Sequence, residues 1–172
     1  MPLAKPFNLQ KWVDDNRHLL KPPVGNKQVY RGNDDYIVMV VGGPNGRKDY
    51  HFEDGEELFY QLEGDITLKI INEDGKPEDI PIKEGEMFLL PPRIPHSPQR
   101  PANTIGLVIE RYRREGEKDK LMWFCENCNN KLHEASFELK DIVAELPVVI
   151  KKFMDSESLR TCDNCGTVME KM

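Results

Sequence analysis

The sequence is short of several things, and each shortage excludes something. No apolar run approaches the length of about 18 residues that a membrane-crossing helix needs. Residues Met1 to Asn8 lack the basic-then-apolar layout of a secretory leader. There is no lysine–arginine cluster, and 24 basic against 30 acidic residues leave a net charge of −6. Binding to nucleic acid, which needs clustered cations to neutralise phosphates, is therefore not expected. Neither an internal repeat nor a low-complexity tract is present. These absences lead to the expectation of a cytoplasmic protein with no membrane partner. Histidine and cysteine are scarce too, at four residues each, so where they fall carries information.

What the chain does contain is a succession of short β-type runs. Its 172 residues suffice for one domain with a small appendage. Near the start, Leu9, Trp12, Val13, Asn16, Leu19 and Leu20 follow a helical spacing, with Asn8 as N-cap and Pro22-Pro23 as the stop. From there to Arg111, apolar runs occupy Tyr36–Val41, Leu58–Leu62, Ile66–Ile71, Ile80–Ile82, Met87–Leu90 and Ile105–Ile109. Turn signals such as Gly42-Gly43-Pro44-Asn45-Gly46 and Glu63-Gly64-Asp65 separate them. Short strands at this spacing, with almost no helix between, predict an antiparallel sandwich or barrel. Arg113–Lys120, charged and containing Gly116, reads as a linker. The chain thus divides into residues 1–112, a helix and a barrel, and residues 113–172, a linker, a further strand and helix, and a cysteine-bearing tail. In the second part Leu139, Ile142, Val143 and Leu146 keep helical spacing up to Pro147.

Two groupings of metal-ligating residue types emerge. His51 and Glu57 bracket the turn Asp54-Gly55, and His96 follows the rigid Pro91-Pro92 and Pro95. Two imidazoles and a carboxylate at strand ends are the ingredients of a three-ligand face, which leaves coordination positions open and suits Fe(II) chemistry with dioxygen. Spacing alone leaves a second reading open, in which both histidines are ordinary hydrogen-bonded residues. The cysteines are more decisive. Cys125-Glu126-Asn127-Cys128 and Cys162-Asp163-Asn164-Cys165 are two knuckles 33 residues apart. Each turns the backbone so that two thiolates meet one ion, and together they complete a tetrahedral four-sulfur site of the rubredoxin or zinc-ribbon kind. A closed thiolate shell leaves no place for substrate, so its expected role is structural or that of an iron store, with iron and zinc both admissible. His133, after the first knuckle, is expected to be exposed.

The first grouping gains meaning from a resemblance. His51, then Glu57, six residues and Gly64 are similar to the first cupin motif, and Gly85, five residues, Pro91 and then His96 to the second. More closely, Val41-Gly42-Gly43-Pro44-Asn45-Gly46-Arg47-Lys48-Asp49-Tyr50-His51 resembles the signature of the 3-hydroxyanthranilate 3,4-dioxygenases. So do Leu19-Leu20-Lys21-Pro22-Pro23-Val24, the run from Leu89-Leu90-Pro91 to His96-Ser97-Pro98, and Val108-Ile109-Glu110. The paired cysteines match the bacterial and fungal branch. This resemblance implies a mainly β fold: a cupin jelly-roll β-barrel with a few peripheral helices and a rubredoxin-like metal-binding tail. Glu53 stands where a second motif histidine is usual, which reduces the ligand set to His51, Glu57 and His96. Arg93 replaces a glycine before His96 and is expected to be structural, and Arg100 replaces an asparagine after it.

The same resemblance implies an Fe(II)-dependent enzyme that opens 3-hydroxyanthranilate between C3 and C4 with O2. The product is 2-amino-3-carboxymuconate semialdehyde, which cyclises to quinolinate, a precursor of NAD. A homodimer is implied as well. Residue by residue, Arg100 becomes the expected partner of the substrate carboxylate, since arginine offers a forked donor array. Arg47 is placed near dioxygen or the substrate. Glu110 is expected to accept hydrogen bonds from the ring's amino or hydroxyl group and to take up a proton. Glu57 is expected to touch the substrate as well as the metal. On composition alone, Arg47, Arg100 and Glu110 would be surface charges or one buried ion pair. Glu53 shares a strand face with His51 and is expected to be a solvated or supporting carboxylate rather than a fourth ligand. Loops at Lys21–Lys27 and Glu145–Ile150 are positioned to cover the substrate. Two further readings are a cupin isomerase or epimerase, and a non-catalytic or electron-transfer protein working through the four-cysteine site.

Overall fold

The computed structural model describes residues 5–22, 25–30, 35–139 and 142–171, with backbone alone at 142–144. Among them, strands β1 (Asn26–Gln28), β2 (Tyr36–Gly42), β3 (Tyr50–Phe52), β4 (Glu57–Glu63), β5 (Ile66–Ile71) and β6 (Pro77–Ile82) come first. They are followed by β7 (Met87–Leu90), β8 (His96–Gln99), β9 (Ile105–Arg111), β10 (Asp119–Phe124) and β11 (Lys131–Phe137). Helix α1 (Leu9–Asn16) precedes the strands, and α2 (Ile142–Asp155) and α3 (Glu157–Arg160) follow them. All six apolar runs of the sequence lie in strands. Pro23 and Val24 of the motif Leu19–Val24 lie outside the described residues.

The antiparallel pairs β2·β9, β3·β8, β4·β7 and β5·β6 nest inside one another, as in a single long hairpin wrapped into a jelly roll. Additional pairing of β4 with β9 and β5 with β8 closes this into two sheets, ordered β1-β2-β9-β4-β7 and β11-β10-β3-β8-β5-β6. The period of two along each strand decides what faces the interior. In β4, Glu57, Phe59 and Gln61 are buried, while Leu58, Tyr60 and Leu62 are half-buried on the other face. The main core joins both sheets through Ile37, Met39, Phe59, Leu68, Ile82 and Val108.

Helix α1 starts as expected, with the Asn8 side chain accepting from the Lys11 amide at 2.8 Å. It ends sooner than the spacing predicts, passing into a 3₁₀ turn at Arg17–Leu19. The Asn16 side chain donates to the Trp12 carbonyl at 2.7 Å, a local bond that competes with the helical ladder. Val13 and Leu20 still bury against Val40 and Ile105.

Three other expectations need correction. The supposed linker Arg113–Lys120 is partly structure: the Arg113 side chain is buried and β10 begins at Asp119, hydrogen-bonded to β3. Pro147 does not end the second helix, which runs through it to Asp155. The proline forfeits one backbone bond. Beyond it, Phe153 and Met154 bury against Leu121, Trp123 and Met169. His133 is not exposed. It is half-buried and stacked on Trp123 and Phe153, whose own rings lie 4.2 Å apart, and burial pulls its pKa down.

Candidate active site

The jelly roll brings His51, Glu57 and His96 together from both sheets. His51 on β3 and His96 on β8 are direct cross-strand partners, and Glu57 on β4 is the partner of Glu110 on β9. One ligand atom from each of His51, Glu57 and His96 lies within 4.8 Å of the others, and all three residues are buried. His96 Nδ1 is 2.9 Å from the Ile94 carbonyl. A carbonyl only accepts, so Nδ1 carries a proton and Nε2 is the nitrogen turned towards the cavity for a metal. That Nε2 approaches Glu57 Oε2 to 2.7 Å without hydrogen-bond geometry, and the buried Oε2 has no hydrogen-bond partner. Two electron-rich atoms converging in this way fit a shared cation. His51 Nε2 is 2.5 Å from Asp119 Oδ2, which leaves Nδ1 as its available nitrogen. Two imidazoles and a carboxylate are a donor set suited to Fe(II).

These groups line a cavity of ≈ 780 Å³ together with Arg47, Arg100 and Glu110. Met39, Phe59 and Val108 belong both to the core and to the cavity wall. Pro22, Gly25 and Asn26 from the N-terminal segment line it as well, as do Leu146, Pro147 and Ile150. The stretch Glu145–Ile150, expected to be a loop, is instead part of α2.

The three charged residues do not form one ion pair. Arg47 is half-buried and paired with the fully buried Asp49. Arg100 is buried, and among the described residues no carboxylate pairs with it. Its Nη1 donates to Gln61 Oε1 at 2.9 Å and its Nε is unpartnered. Burial pulls this guanidinium down to about 10, so it stays charged at neutral pH. Gly106 makes the pairing feasible, because a Cβ there would fall 2.3 Å from Gln61 Oε1. Glu110 is buried and held by Arg113 Nη1 at 2.5 Å.

The loop between β2 and β3 explains the position of both cavity arginines. Gly43 donates to the Thr104 carbonyl at 2.9 Å, and a Cβ on it would lie 2.0 Å from the Pro101 carbonyl oxygen. Asn45 Oδ1 accepts from the Arg100 amide at 2.8 Å, and its Nδ2 donates to the Pro98 carbonyl at 2.8 Å. Arg93 takes a φ of 64°, the left-handed region that a glycine enters freely, and its exposed side chain pairs with Asp54.

Glu53 departs from expectation in one respect. It is not solvated but 3% exposed, with Oε2 3.0 Å from Arg113 Nη1. Burial and the neighbouring Glu110 charge push its carboxyl up to about 10, against the pull of Arg113. Asp119, Arg113, Asp49 and Gln61 were not singled out from the sequence. For Asp119 a signal existed: Asp119, Leu121 and Trp123 share one buried face of β10.

The second grouping forms as well. Sγ–Sγ distances are 3.6 Å for Cys125–Cys165 and for Cys128–Cys162, and all four sulfurs fall within 4.8 Å. These separations are too long for disulfides and close to the ~3.8 Å tetrahedral edge implied by metal–sulfur bonds of ~2.3 Å. The two knuckles share a backbone pattern. Asn129 and Gly166 donate to the Cys125 and Cys162 carbonyls at 2.9 and 2.8 Å, with positive φ at both.

A family model described as 3-hydroxyanthranilic acid dioxygenase matches residues 1–154. A protein named 3-hydroxyanthranilate 3,4-dioxygenase from Xanthomonas oryzae pv. oryzae is 55% identical over 164 residues, covering 95% of this chain and 92% of its own. One of the same name from Bacillus cereus is 45% identical over 163 residues, covering 95% and 90%. A solved cupin-2 domain protein from Shewanella frigidimarina aligns with a TM-score of 0.47 at 21% identity, covering 60% of this chain and 99% of that one. With a family model spanning residues 1–154 and relatives this similar along most of its length, the chain belongs to the 3-hydroxyanthranilic acid dioxygenase family.

Proposed function

We propose that the chain opens the ring of 3-hydroxyanthranilate with O2 to give 2-amino-3-carboxymuconate semialdehyde, both oxygen atoms entering the product. The observation that carries this reading is that the convergent His51–Glu57–His96 face and the acid-free guanidinium of Arg100 share one cavity. His51, Glu57 and His96 would hold Fe(II), which supplies the coupling between ground-state O2 and a closed-shell ring that spin restrictions otherwise make slow.

The chain's own residues then divide the work. Arg100 takes the substrate carboxylate, which satisfies its buried Nε. Glu110, facing the cavity beside Glu57, accepts a hydrogen bond from the amino or hydroxyl group and takes its proton on binding. Glu57 contacts the same ring substituents as well as the metal. Arg47 places a positive charge on the dioxygen side, held there by Asp49. Phe59, Val108, Leu146, Pro147 and Ile150 provide an apolar wall that excludes water.

In this reading residues 1–112 carry the chemistry, and residues 113–172 carry a second iron or zinc on Cys125, Cys128, Cys162 and Cys165. Unbridged thiols suit a reducing compartment, in keeping with a cytoplasmic enzyme supplying quinolinate for NAD synthesis or acting in tryptophan or nitroaromatic breakdown. Among the described residues no helix is long and apolar enough to cross a membrane. A homodimer is supported by the outer face of the first sheet. Tyr36, Met87 and Leu89 are 58%, 63% and 53% exposed there, beside a rim carrying both signs of charge at Asp54, Glu56, Arg111 and Arg114. A mixed-charge rim around apolar side chains suits a self-complementary contact.

The test is direct. Anaerobic protein loaded with Fe(II) receives 3-hydroxyanthranilate and oxygen, and the semialdehyde is followed by absorbance. Product with one O2 consumed per substrate is expected. Absence of product from protein with iron bound at the three ligands would overturn the substrate assignment.

A further inference from the structure

Arg113 lies on the connection between β9 and β10, one of those at which the chain crosses from one sheet to the other. Its side chain is 7% exposed, donates to two acids and lies beside a third. Nε and Nη2 grip both oxygens of Asp119 at 2.8 and 2.6 Å. Nη1 donates to Glu110 Oε2 at 2.5 Å and to the Arg111 carbonyl at 3.1 Å, and lies 3.0 Å from Glu53 Oε2. Asp119 Oδ2, the oxygen gripped by Nη2, is the one that meets His51 Nε2. One guanidinium thus touches the acid that orients a ligand imidazole in one sheet and the acid that faces the cavity from the other.

We propose that Arg113 is a positioning residue that locks His51 and Glu110 into a single arrangement, acting on the first through Asp119 and on the second directly. The inference rests on the reading of His51 as an iron ligand and of Glu110 as a substrate contact. Carboxylate partners of ligating histidines fix ring orientation, and losing one typically weakens metal affinity by about 10- to 100-fold. The role requires arginine. A lysine is a point charge and cannot grip both oxygens of Asp119 while also holding Glu110.

The test compares wild type, Arg113→Lys, Asp119→Asn and the double variant. Metal-free proteins are first checked for a wild-type thermal transition. Fe(II) affinity is then measured by anaerobic titration, and KM and kcat for 3-hydroxyanthranilate are measured at saturating iron. Asp119→Asn is expected to lower iron affinity by about 10- to 100-fold. Arg113→Lys should do the same and also raise KM, because Glu110 is released. The double variant should bind iron no worse than Asp119→Asn alone, since both changes break one link. Iron affinity and kcat/KM of Arg113→Lys within twofold of wild type would overturn the proposal, and so would additive losses in the double variant. Should Arg113→Lys fail to fold, unchanged iron affinity in Asp119→Asn overturns it. A wild type that binds iron but turns over no 3-hydroxyanthranilate would refute the substrate reading instead, and the iron titrations would still decide the role of Arg113.

Discussion

Glu57 and Glu110 are directly opposed on neighbouring strands, and both line the cavity. Two carboxylates side by side repel each other unless each has its own cationic partner. The fold provides separate partners: Glu57 converges with the two imidazoles, and Glu110 is held by Arg113. In the proposed function the pair would therefore serve metal and substrate from one strand register.

Replacing a ligand tests the metal face. His51→Ala and Glu57→Ala are expected to abolish turnover and to lose one bound iron per chain, with the fold retained. Metal analysis beside a steady-state assay checks this, and wild-type turnover in either variant would show the face to be misassigned.

As the proposed partner of the substrate carboxylate, Arg100 is expected to set substrate binding. Arg100→Met removes a charge-assisted contact of about 1.5–3 kcal/mol, equivalent to roughly 10- to 150-fold in Kd. Equilibrium binding of 3-hydroxyanthranilate without oxygen measures it. Benzene analogues lacking the carboxylate should bind the variant and the wild type equally.

A metal on the four cysteines is expected to act through α2. Trp123, Phe153, Met154 and Met169 pack the helix onto the four-cysteine end, and Leu146, Pro147 and Ile150 of the same helix line the cavity. Cys165→Ser is therefore expected to lower the apparent Tm by roughly 6–12 °C, the shift for a loss of ~3 kcal/mol in a chain of this size. KM should rise more than kcat falls. A variant with wild-type Tm and KM would remove any structural role for the site.

Acid should loosen the β9–β10 connection. Arg111 donates to Glu117 at 2.6 and 2.7 Å and holds its carboxyl down to about 2. A folded-state pKa below the unfolded value means stability that is present above about pH 4.5 and lost as pH falls towards 2. Glu117→Gln should cost about 0.5–1 kcal/mol at pH 7, a difference that fades as pH falls towards 2 and is gone only below it. Denaturant titrations across that range would reveal a pH-independent difference if the pair contributes nothing.

The outer sheet face predicts assembly. Leu89→Arg places a charge among exposed apolar side chains and should convert a dimer to a monomer in light scattering, leaving the Tm of the monomer intact. A monomeric wild type would dismiss the homodimer.

Much of this protein was legible in its sequence because the relevant patterns are local. Alternation of apolar residues placed the runs of β2, β4, β5, β6, β7 and β9, and the spacing within each Cys-x-x-Cys pair defined the two knuckles. The cupin-type motifs named His51, Glu57 and His96 because turn residues such as Gly64 and Gly85, both at positive φ, fix local chain direction around them. What local pattern could not decide was adjacency across strands. Asp119 reaches His51 over 68 residues, Arg113 turned from presumed linker into a buried hub, and Glu53, expected to be solvated or supporting, is buried beside it. Those outcomes depend on which strands pair, in which register, and on how far the closed barrel shields each side chain from solvent. A charge written in the sequence as surface became an organising group only once the jelly roll had closed around it.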